Sequence, residues 1–254
     1  MAKLRLYVDR MSQPSRAVLI FCLVNNIEFE EHTIRLNKGE HKRAEYKAIN
    51  PLGLVPAIDD GGFKLYESHA ILRYLVAVNP GVPDHWYPAD MSRRAQVDCI
   101  LDWHHTNLRR GAAGLIMNQV LAPSLGLQLN PNGSAEAESI LKSSLMKLET
   151  IWLTGSNKFL GNARQPSIAD LSLACELKQL QLLDEHAIST LLGPWAKVRS
   201  WLSAVENTTA PHFADVHLHL QYVSKRFKER RHQEKSEQRN ITLPAAISAQ
   251  NSKL

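Results

Sequence analysis

Strand-like and helix-like spacings of apolar residues alternate in the first part of the chain. Residues 4–8, LRLYV, are rich in strand formers, and residues 29–34 alternate apolar with polar side chains, as a half-buried strand does. Between them, Ala17, Phe21 and Val24 recur at the spacing of one helix face. This order predicts a strand, a helix and a second strand.

The pattern continues with a short helix and a hairpin. The stretch AEYKAI (44–49) favours a short helix, and residues 54–58 and 63–66 favour two strands around the turn DDGG. Residues 68–78 return to helical spacing. The order β-α-β-α-β-β-α predicts an α/β domain with a mixed four-stranded sheet.

Helical spacing dominates the rest of the chain after a break. Residues 79–90 contain three prolines and one glycine, which is typical of a linker. Helices are predicted over residues 91–121, 134–154 and 168–184. A fourth helix is predicted to begin with Pro194 as its first residue. A final helix is predicted from Pro211 onward, and its sequence becomes basic before the helix frays. Ser167 and Asp170, at the start of the third helix, have the spacing of a capping box.

We therefore expect four segments. An α/β domain covers residues 1–80, a linker 81–90, an all-helical domain 91–223 and a basic C-terminal extension 224–254.

The composition indicates a globular protein with a full core, since 44% of the 254 residues are hydrophobic and 22% are charged. No apolar run reaches the roughly 18 residues of a membrane span, and the first residues lack the features of a signal peptide. The net charge of +5 is concentrated in residues 225–239, where seven Lys and Arg accompany three Glu. Aromatic side chains are not regularly interleaved there, so a solvated helix is expected and a nucleic-acid partner is not favoured.

The three cysteines, Cys22, Cys99 and Cys175, have neither zinc-site nor Cys-x-x-Cys spacing. Each lies in an apolar, helical context, so we expect buried or half-buried free thiols in a reducing compartment. No metal site is predicted, because His217 and His219 are two apart and point in different directions on a helix.

The stretch NPLGLVPAI places Pro56 before a predicted strand. An X-Pro bond adopts the cis form at small cost, and a cis proline here would turn one backbone N–H and C=O outward, where they can pair with an extended peptide. An ordinary edge-strand proline is the alternative.

At YESHAI a strand ends and a helix begins. Ser68 is predicted to be the N-cap of this helix, whose free N–H groups suit a carboxylate, and Glu67 beside it is placed to hold an ammonium group. Capping alone is the alternative.

Ser12 follows the first strand and precedes a helix opened by Pro14. Its hydroxyl either caps that helix or donates a hydrogen bond to an anion at the helix end. A serine hydrolase is disfavoured, because the chain has no G-x-S-x-G elbow and nothing in it pairs a base with this serine.

Together these motifs resemble a glutathione transferase, with a thioredoxin-like first domain and an all-helical second domain. The stretches DRMSQPSRAV, NPLGLVPAI, ESHAI, DHWYP and LDWHHTNLRRGAAG are similar to the theta class, and most to its plant members. The resemblance covers about residues 3–223 and is collinear across both domains.

This resemblance implies that Ser12 donates a hydrogen bond to the sulfur of glutathione. Tyr7 lies in the first strand, where other classes use a tyrosine, but the Ser-Gln-Pro-Ser context favours Ser12. The implied glutathione-binding residues are Gln13, His41, Lys42, Leu54, Val55, Pro56, Glu67 and Ser68. The candidates for the electrophile pocket are Trp103, Arg109 and Met117.

We expect an enzyme in which the glutathione thiolate attacks an electrophile, with glutathione as co-substrate, no metal or other cofactor, and a homodimer. Glutathione-dependent peroxidase activity on organic hydroperoxides is expected beside conjugation, in detoxification. A non-catalytic carrier of glutathione and apolar ligands is the alternative. A thiol–disulfide oxidoreductase would need a cysteine near position 12, and the nearest is Cys22.

The sequence given ends in Ser252-Lys253-Leu254. As a free C-terminus, this tripeptide is a peroxisomal address that an import receptor binds. We expect a peroxisomal protein, with a cytosolic or nuclear pool as an alternative.

Overall fold

A computed structural model describes residues 3–123 and 126–242, with the side chains of His232 and of residues 234–242 left aside. The strands are β1 (Leu4–Val8), β2 (Phe29–Thr33), β3 (Ala57–Asp60) and β4 (Phe63–Tyr66). The helices are α1 (Gln13–Val24), α2 (Ala44–Lys47), α3 (Ser68–Val78), α4 (Met91–Thr106), α5 (Leu108–Ile116), α6 (Pro131–Lys147), α7 (Ile168–Lys178), α8 (Glu185–Leu192), α9 (Ala196–Thr208) and α10 (His212–Thr242).

The four strands form one mixed sheet in the order β2-β1-β3-β4. β1 runs parallel to β2, with Leu4 opposite Phe29, and antiparallel to β3, with Leu6 opposite Ile58. β4 pairs antiparallel with β3 as a hairpin. This sheet and the helical remainder of the chain confirm the predicted fold class.

The third strand begins later than the sequence predicts. Residues 54–58 were expected to be strand, but β3 starts at Ala57. The carbonyl oxygen of Leu54 accepts two side-chain hydrogen bonds, from Tyr46 Oη at 2.5 Å and from Asn50 Nδ2 at 2.7 Å. Because these bonds occupy the Leu54 carbonyl oxygen, it does not accept a hydrogen bond from a neighbouring strand of the described sheet, and Leu54 belongs to the loop before β3.

The helix α1 is enclosed between the sheet and the helical part of the chain. Every residue from Ser15 to Cys22 is buried. This helix is therefore covered on all its faces, and its apolar residues are not confined to one face as in a surface helix. On its far side Phe21 meets Trp86 edge to face, with ring centroids 5.5 Å apart. The middle and the later part of α1 are therefore held between the two layers.

The predicted helix over 91–121 is broken at Asn107, whose backbone leaves the helical region (φ −115°, ψ −91°). Its side-chain Nδ2 donates to the Trp103 carbonyl oxygen at 3.0 Å and so replaces a helical backbone donor. Two helices, α4 and α5, result, and a further helical turn covers Met117–Leu121.

Other helix boundaries also differ from expectation. Pro194 lies outside α9, which begins at Ala196, because the carboxylate of Glu149 accepts from the backbone N–H groups of Lys197 and Val198 and caps the helix there. The helix α8 was missed, and α10 continues to Thr242 instead of fraying.

The capping box at α7 is confirmed: Ser167 Oγ accepts from the backbone N–H of Asp170, and the Asp170 carboxylate accepts from the backbone N–H of Ser167.

The cysteines differ in exposure. Cys22 and Cys175 are buried, and burial raises the pKa of each thiol to about 12, which keeps both protonated at neutral pH. The expectation of burial is wrong for Cys99, which is exposed on the outer face of α4 while Ile100 and Leu101 face the core. Among the residues described, no helix is long and apolar enough to cross a membrane.

Candidate functional site

Ser12 lies at the junction of β1 and α1, in the N-cap position with extended backbone (φ −82°, ψ 123°). Its side chain is 8% exposed, yet the hydroxyl makes no capping hydrogen bond. Pro14 in the first turn has no N–H to offer this oxygen. Capping by the side chain is therefore wrong, and the hydroxyl proton is left for a ligand at the helix N-terminus.

The loop before Ser12 is fixed by two charged side chains. The carboxylate of Asp9 accepts from the backbone N–H of Met11 at 2.8 Å and of Leu36 at 2.9 Å. The fully buried guanidinium of Arg16 donates to the carbonyl oxygens of Arg10 and Met11 at 2.9 and 3.0 Å. Burial lowers the pKa of Arg16 to about 10, so it stays charged at neutral pH.

His41 and Lys42 lie in a short 3-10 turn, Glu40–Lys42, beyond the loop that Asp9 anchors. Burial, and then the charge of Lys42, lower the pKa of His41, so its ring is neutral at neutral pH. Its buried Nδ1 has no hydrogen-bond partner among the described residues. Lys42 is exposed and is the positively charged group of this turn, while the carboxylate of Glu40 is paired with Arg35.

The peptide bond between Val55 and Pro56 is cis. The Val55 side chain is buried, and Leu54 turns its side chain to solvent while Tyr46 and Asn50 occupy its carbonyl oxygen. Within the described part of the chain, no hydrogen bond engages the backbone N–H or C=O of Val55. Both groups therefore remain for an extended ligand next to β3.

Glu67 joins β4 to α3 with a left-handed backbone (φ 70°, ψ 111°), which a non-glycine residue seldom adopts. Ser68 was predicted as the N-cap, but Glu67 takes that position and Ser68 is the first residue of α3. The reason is the turn at Glu67, whose carbonyl oxygen already accepts from the N–H of Ile71 at 2.9 Å. The Glu67 side chain is exposed, and Ser68 is buried beside it.

The three pocket candidates occupy different places. Arg109 Nη1 donates to Glu176 Oε2 at 2.9 Å, and Glu176 Oε1 accepts from Gln13 Nε2 at 3.2 Å, so one carboxylate joins Arg109 to the first residue of α1. Trp103 is half-buried against Trp152, with centroids 6.1 Å apart. Met117 lies exposed in the turn after α5.

Glu176 is a further residue of this region that none of the sequence motifs contains. Its side chain is buried, although it stands among the apolar residues of ACELKQL. A carboxylate next to apolar residues of a predicted buried helix is the sequence signal that could have identified Glu176, because a buried charge needs partners.

Residues 2–77 match the family described as Glutathione S-transferase, N-terminal domain. Glutathione S-transferase T1 from Arabidopsis thaliana is 57% identical over 231 residues, which is 91% of this chain and 94% of that protein. Glutathione S-transferase T2 from the same plant is 57% identical over 229 residues, 90% of this chain but 39% of that longer protein.

Among solved structures, human glutathione transferase theta-2 in complex with glutathione and an unknown ligand is similar to this chain, with a TM-score of 0.80 and 35% identity. The similarity covers 89% of this chain and 91% of that one. The likeness therefore spans both the sheet and the helices.

Proposed function

The chain belongs to the glutathione S-transferase family, in its theta class, and we propose that Ser12 activates the thiol of bound glutathione. One observation carries this proposal: the Ser12 hydroxyl stands at the N-terminus of α1 without serving as its cap. A hydroxyl and a helix end both favour an anion at that place. The nucleophile is then the sulfur of the tripeptide, and the serine only stabilises it.

The energy needed for this activation is modest. A free thiol has a pKa of about 8.5, so only a few per cent is thiolate at neutral pH. Lowering that pKa by about two units takes about 2.7 kcal/mol of preferential stabilisation of the thiolate. One hydrogen bond to a charged sulfur, with the partial positive charge of the helix end, supplies this amount.

Other groups of the site are proposed to hold the rest of glutathione. The unpaired backbone of Val55, beside Leu54 and Pro56, suits the cysteinyl peptide groups. Glu67 and Ser68, where α3 begins, suit the amino and carboxylate groups of the γ-glutamyl end. His41 and Lys42 suit the glycine carboxylate, to which Lys42 offers a positive charge.

The pocket candidates are proposed to receive the electrophile. Arg109 offers this second substrate a guanidinium close to Gln13, while Trp103 and Met117 offer apolar surface.

We propose organic hydroperoxides as a second class of substrate, beside electrophiles for conjugation, and detoxification as the role. The thiolate attacks the terminal oxygen of the hydroperoxide, so that an S–O bond forms, the O–O bond breaks and the alcohol leaves. A second glutathione thiol then displaces water from the sulfenic acid and gives glutathione disulfide. One hydroperoxide is thus reduced as two thiols are oxidised, and the balance needs no metal or other cofactor.

This substrate class is tested by parallel rates with cumene hydroperoxide, an activated aryl halide and an epoxide at one glutathione concentration. We expect hydroperoxide turnover with two glutathione consumed per alcohol formed. Conjugation without reduction of the hydroperoxide would refute the peroxidase activity alone. Binding of glutathione with no turnover of any of the three substrates would favour the carrier alternative.

We also propose peroxisomal residence through recognition of Ser252-Lys253-Leu254 by an import receptor; these residues lie outside the described part of the chain. The tripeptide acts only as a free C-terminus. A fluorescent reporter that ends in residues 243–254 is expected to become punctate in cells. The same reporter with one residue added after Leu254 is the control and should be diffuse, and a diffuse signal from both would contradict the proposal.

A homodimer is proposed from the apolar side chains that the single chain leaves in solvent. Leu52 and Leu54 are each 57% exposed and Phe63 is 50% exposed, all on or near the β3–β4 hairpin. Large apolar side chains left exposed on one domain would be covered in an interface with a second copy of the chain.

A further inference from the structure

A buried carboxylate, Glu176 on α7, connects the helical part of the chain to the first turn of α1. Its Oε2 accepts from Arg109 Nη1 at 2.9 Å and faces His104 Nε2 at 3.5 Å. Its Oε1 accepts from Gln13 Nε2 at 3.2 Å. A carboxylate this deeply buried is costly unless its oxygens are satisfied, and here each oxygen accepts one hydrogen bond, from Arg109 and from Gln13.

A pair of buried histidines lies behind this carboxylate. His104 Nδ1 is 3.3 Å from His69 Nε2, and both rings are buried. His104 Nε2 lies 3.5 Å from Glu176 Oε2 but makes no hydrogen bond among the described residues. Burial lowers the pKa of His69 to about 2, so this ring is neutral and carries one N–H. His69 directly follows Ser68. A series of close contacts therefore runs from Gln13 through Glu176 and His104 to His69, and both of its ends adjoin the proposed glutathione site.

The carboxylate also sets the orientation of the Gln13 side chain. An ionised carboxylate only accepts hydrogen bonds, so the amide of Gln13 must turn its Nε2 toward Glu176. The amide oxygen is then left to accept a hydrogen bond from a ligand. Because Gln13 is the first residue of α1 and follows Ser12 directly, this bond also fixes the turn that carries the Ser12 hydroxyl.

We propose that Glu176 is a positioning residue: held by Arg109, it fixes Gln13 and thereby the orientation of the Ser12 hydroxyl toward the glutathione sulfur. The inference rests on the proposed role of Ser12. It makes thiol activation in the α/β domain depend on a side chain of the helical domain.

The test is Glu176→Gln, with the pKa of the bound glutathione thiol read from the ultraviolet absorbance of the thiolate. Loss of a nearby negative charge alone would favour the thiolate and lower this pKa. Loss of positioning would misalign the hydroxyl and raise it. We expect the pKa to rise and kcat at neutral pH to fall about tenfold, the effect of losing one hydrogen bond to a charged group, while KM for glutathione changes less.

A double-mutant cycle tests whether the effect passes through Gln13. The double variant E176Q/Q13A should be no worse than the worse single variant, because both substitutions act on the one contact between Glu176 and Gln13. Gln13→Ala must also raise the pKa of the bound glutathione thiol. Because Gln13 is only half-buried, this variant keeps the proposal testable even if E176Q does not fold. Glu206→Gln is the matched control, because it breaks the pair with Lys178 at the end of α7 and should leave the thiol pKa unchanged.

Three results would overturn the proposal: a lowered pKa in E176Q, no change in that pKa, or additive effects in the cycle. Failure of the Ser12 role is distinguishable from these. In that case Ser12→Ala leaves the thiol pKa unchanged, while non-additive losses of glutathione affinity in E176Q and Q13A still report the contact between the two side chains.

Discussion

Replacing Ser12 with alanine is expected to lower turnover at neutral pH by about 10- to 100-fold, while the dissociation constant of glutathione changes by no more than several-fold. The loss follows from one hydrogen bond to a charged sulfur, which contributes about 1.5–3 kcal/mol. Affinity should change less, because the backbone of Val55 and the groups at Glu67 and Lys42 are proposed to hold the tripeptide elsewhere. Initial rates and titration calorimetry measure the two quantities separately.

The pH dependence of this variant has a defined sign. The serine is proposed to hold the thiol pKa below its ordinary value of about 8.5, so the thiolate forms at lower pH in the native protein than in Ser12→Ala. The deficit of the variant should therefore be largest near neutral pH and should shrink as the pH rises past that ordinary value. A deficit that is the same at every pH would contradict thiolate stabilisation.

Ser15 provides a matched control for Ser12. It lies one turn later in α1, and its buried Oγ has no hydrogen-bond partner among the described residues. Ser15→Ala removes a buried serine hydroxyl from the first turn of α1 without touching the proposed sulfur site, and its turnover should equal that of the native protein. An equal loss in both variants would assign the effect to the packing of α1 and not to the hydroxyl.

The fold was predictable from the sequence because its elements are local and strongly patterned. The strand formers of residues 4–8, the alternation in residues 29–34 and the Ser-x-x-Asp before α7 specify structure through neighbours a few residues away. The misplaced boundaries depend on distant partners. The start of α9 is set by Glu149, which is far away in the sequence, and no local pattern reports that contact.

The candidate site was predictable in part for the same reason. Ser12 and the junction at Glu67–Ser68 follow from strand-to-helix transitions, which a sequence displays. Whether a hydroxyl caps its own helix depends on detailed geometry, and at Ser12 it does not. Glu176 meets Gln13 across more than half the chain, so only the folded structure brings them together.

Replacing Asp170 with alanine is expected to lower the free energy of unfolding by about 3–5 kcal/mol. The carboxylate is fully buried and accepts four hydrogen bonds, from the backbone N–H of Leu160 at 2.9 Å, from the backbone N–H and the hydroxyl of Ser167, each at 2.8 Å, and from Trp201 Nε1 at 2.8 Å. Alanine leaves buried donors without partners, and each such donor costs about 1–3 kcal/mol. Part of that cost is relieved by water or local movement.

The measurement is urea unfolding followed by tryptophan fluorescence at one protein concentration. Ser172→Ala is the matched control on α7, because Ser172 is buried and, among the residues that the structure describes, its hydroxyl bonds only to the Ile168 carbonyl oxygen within the same helix. Its stability should change by less than about 1 kcal/mol, the net contribution of an ordinary hydrogen bond. Since Asp170 ties α7 to the loop before it and to α9, a loss in Asp170→Ala no larger than in the control would show that these donors find other partners in the folded state.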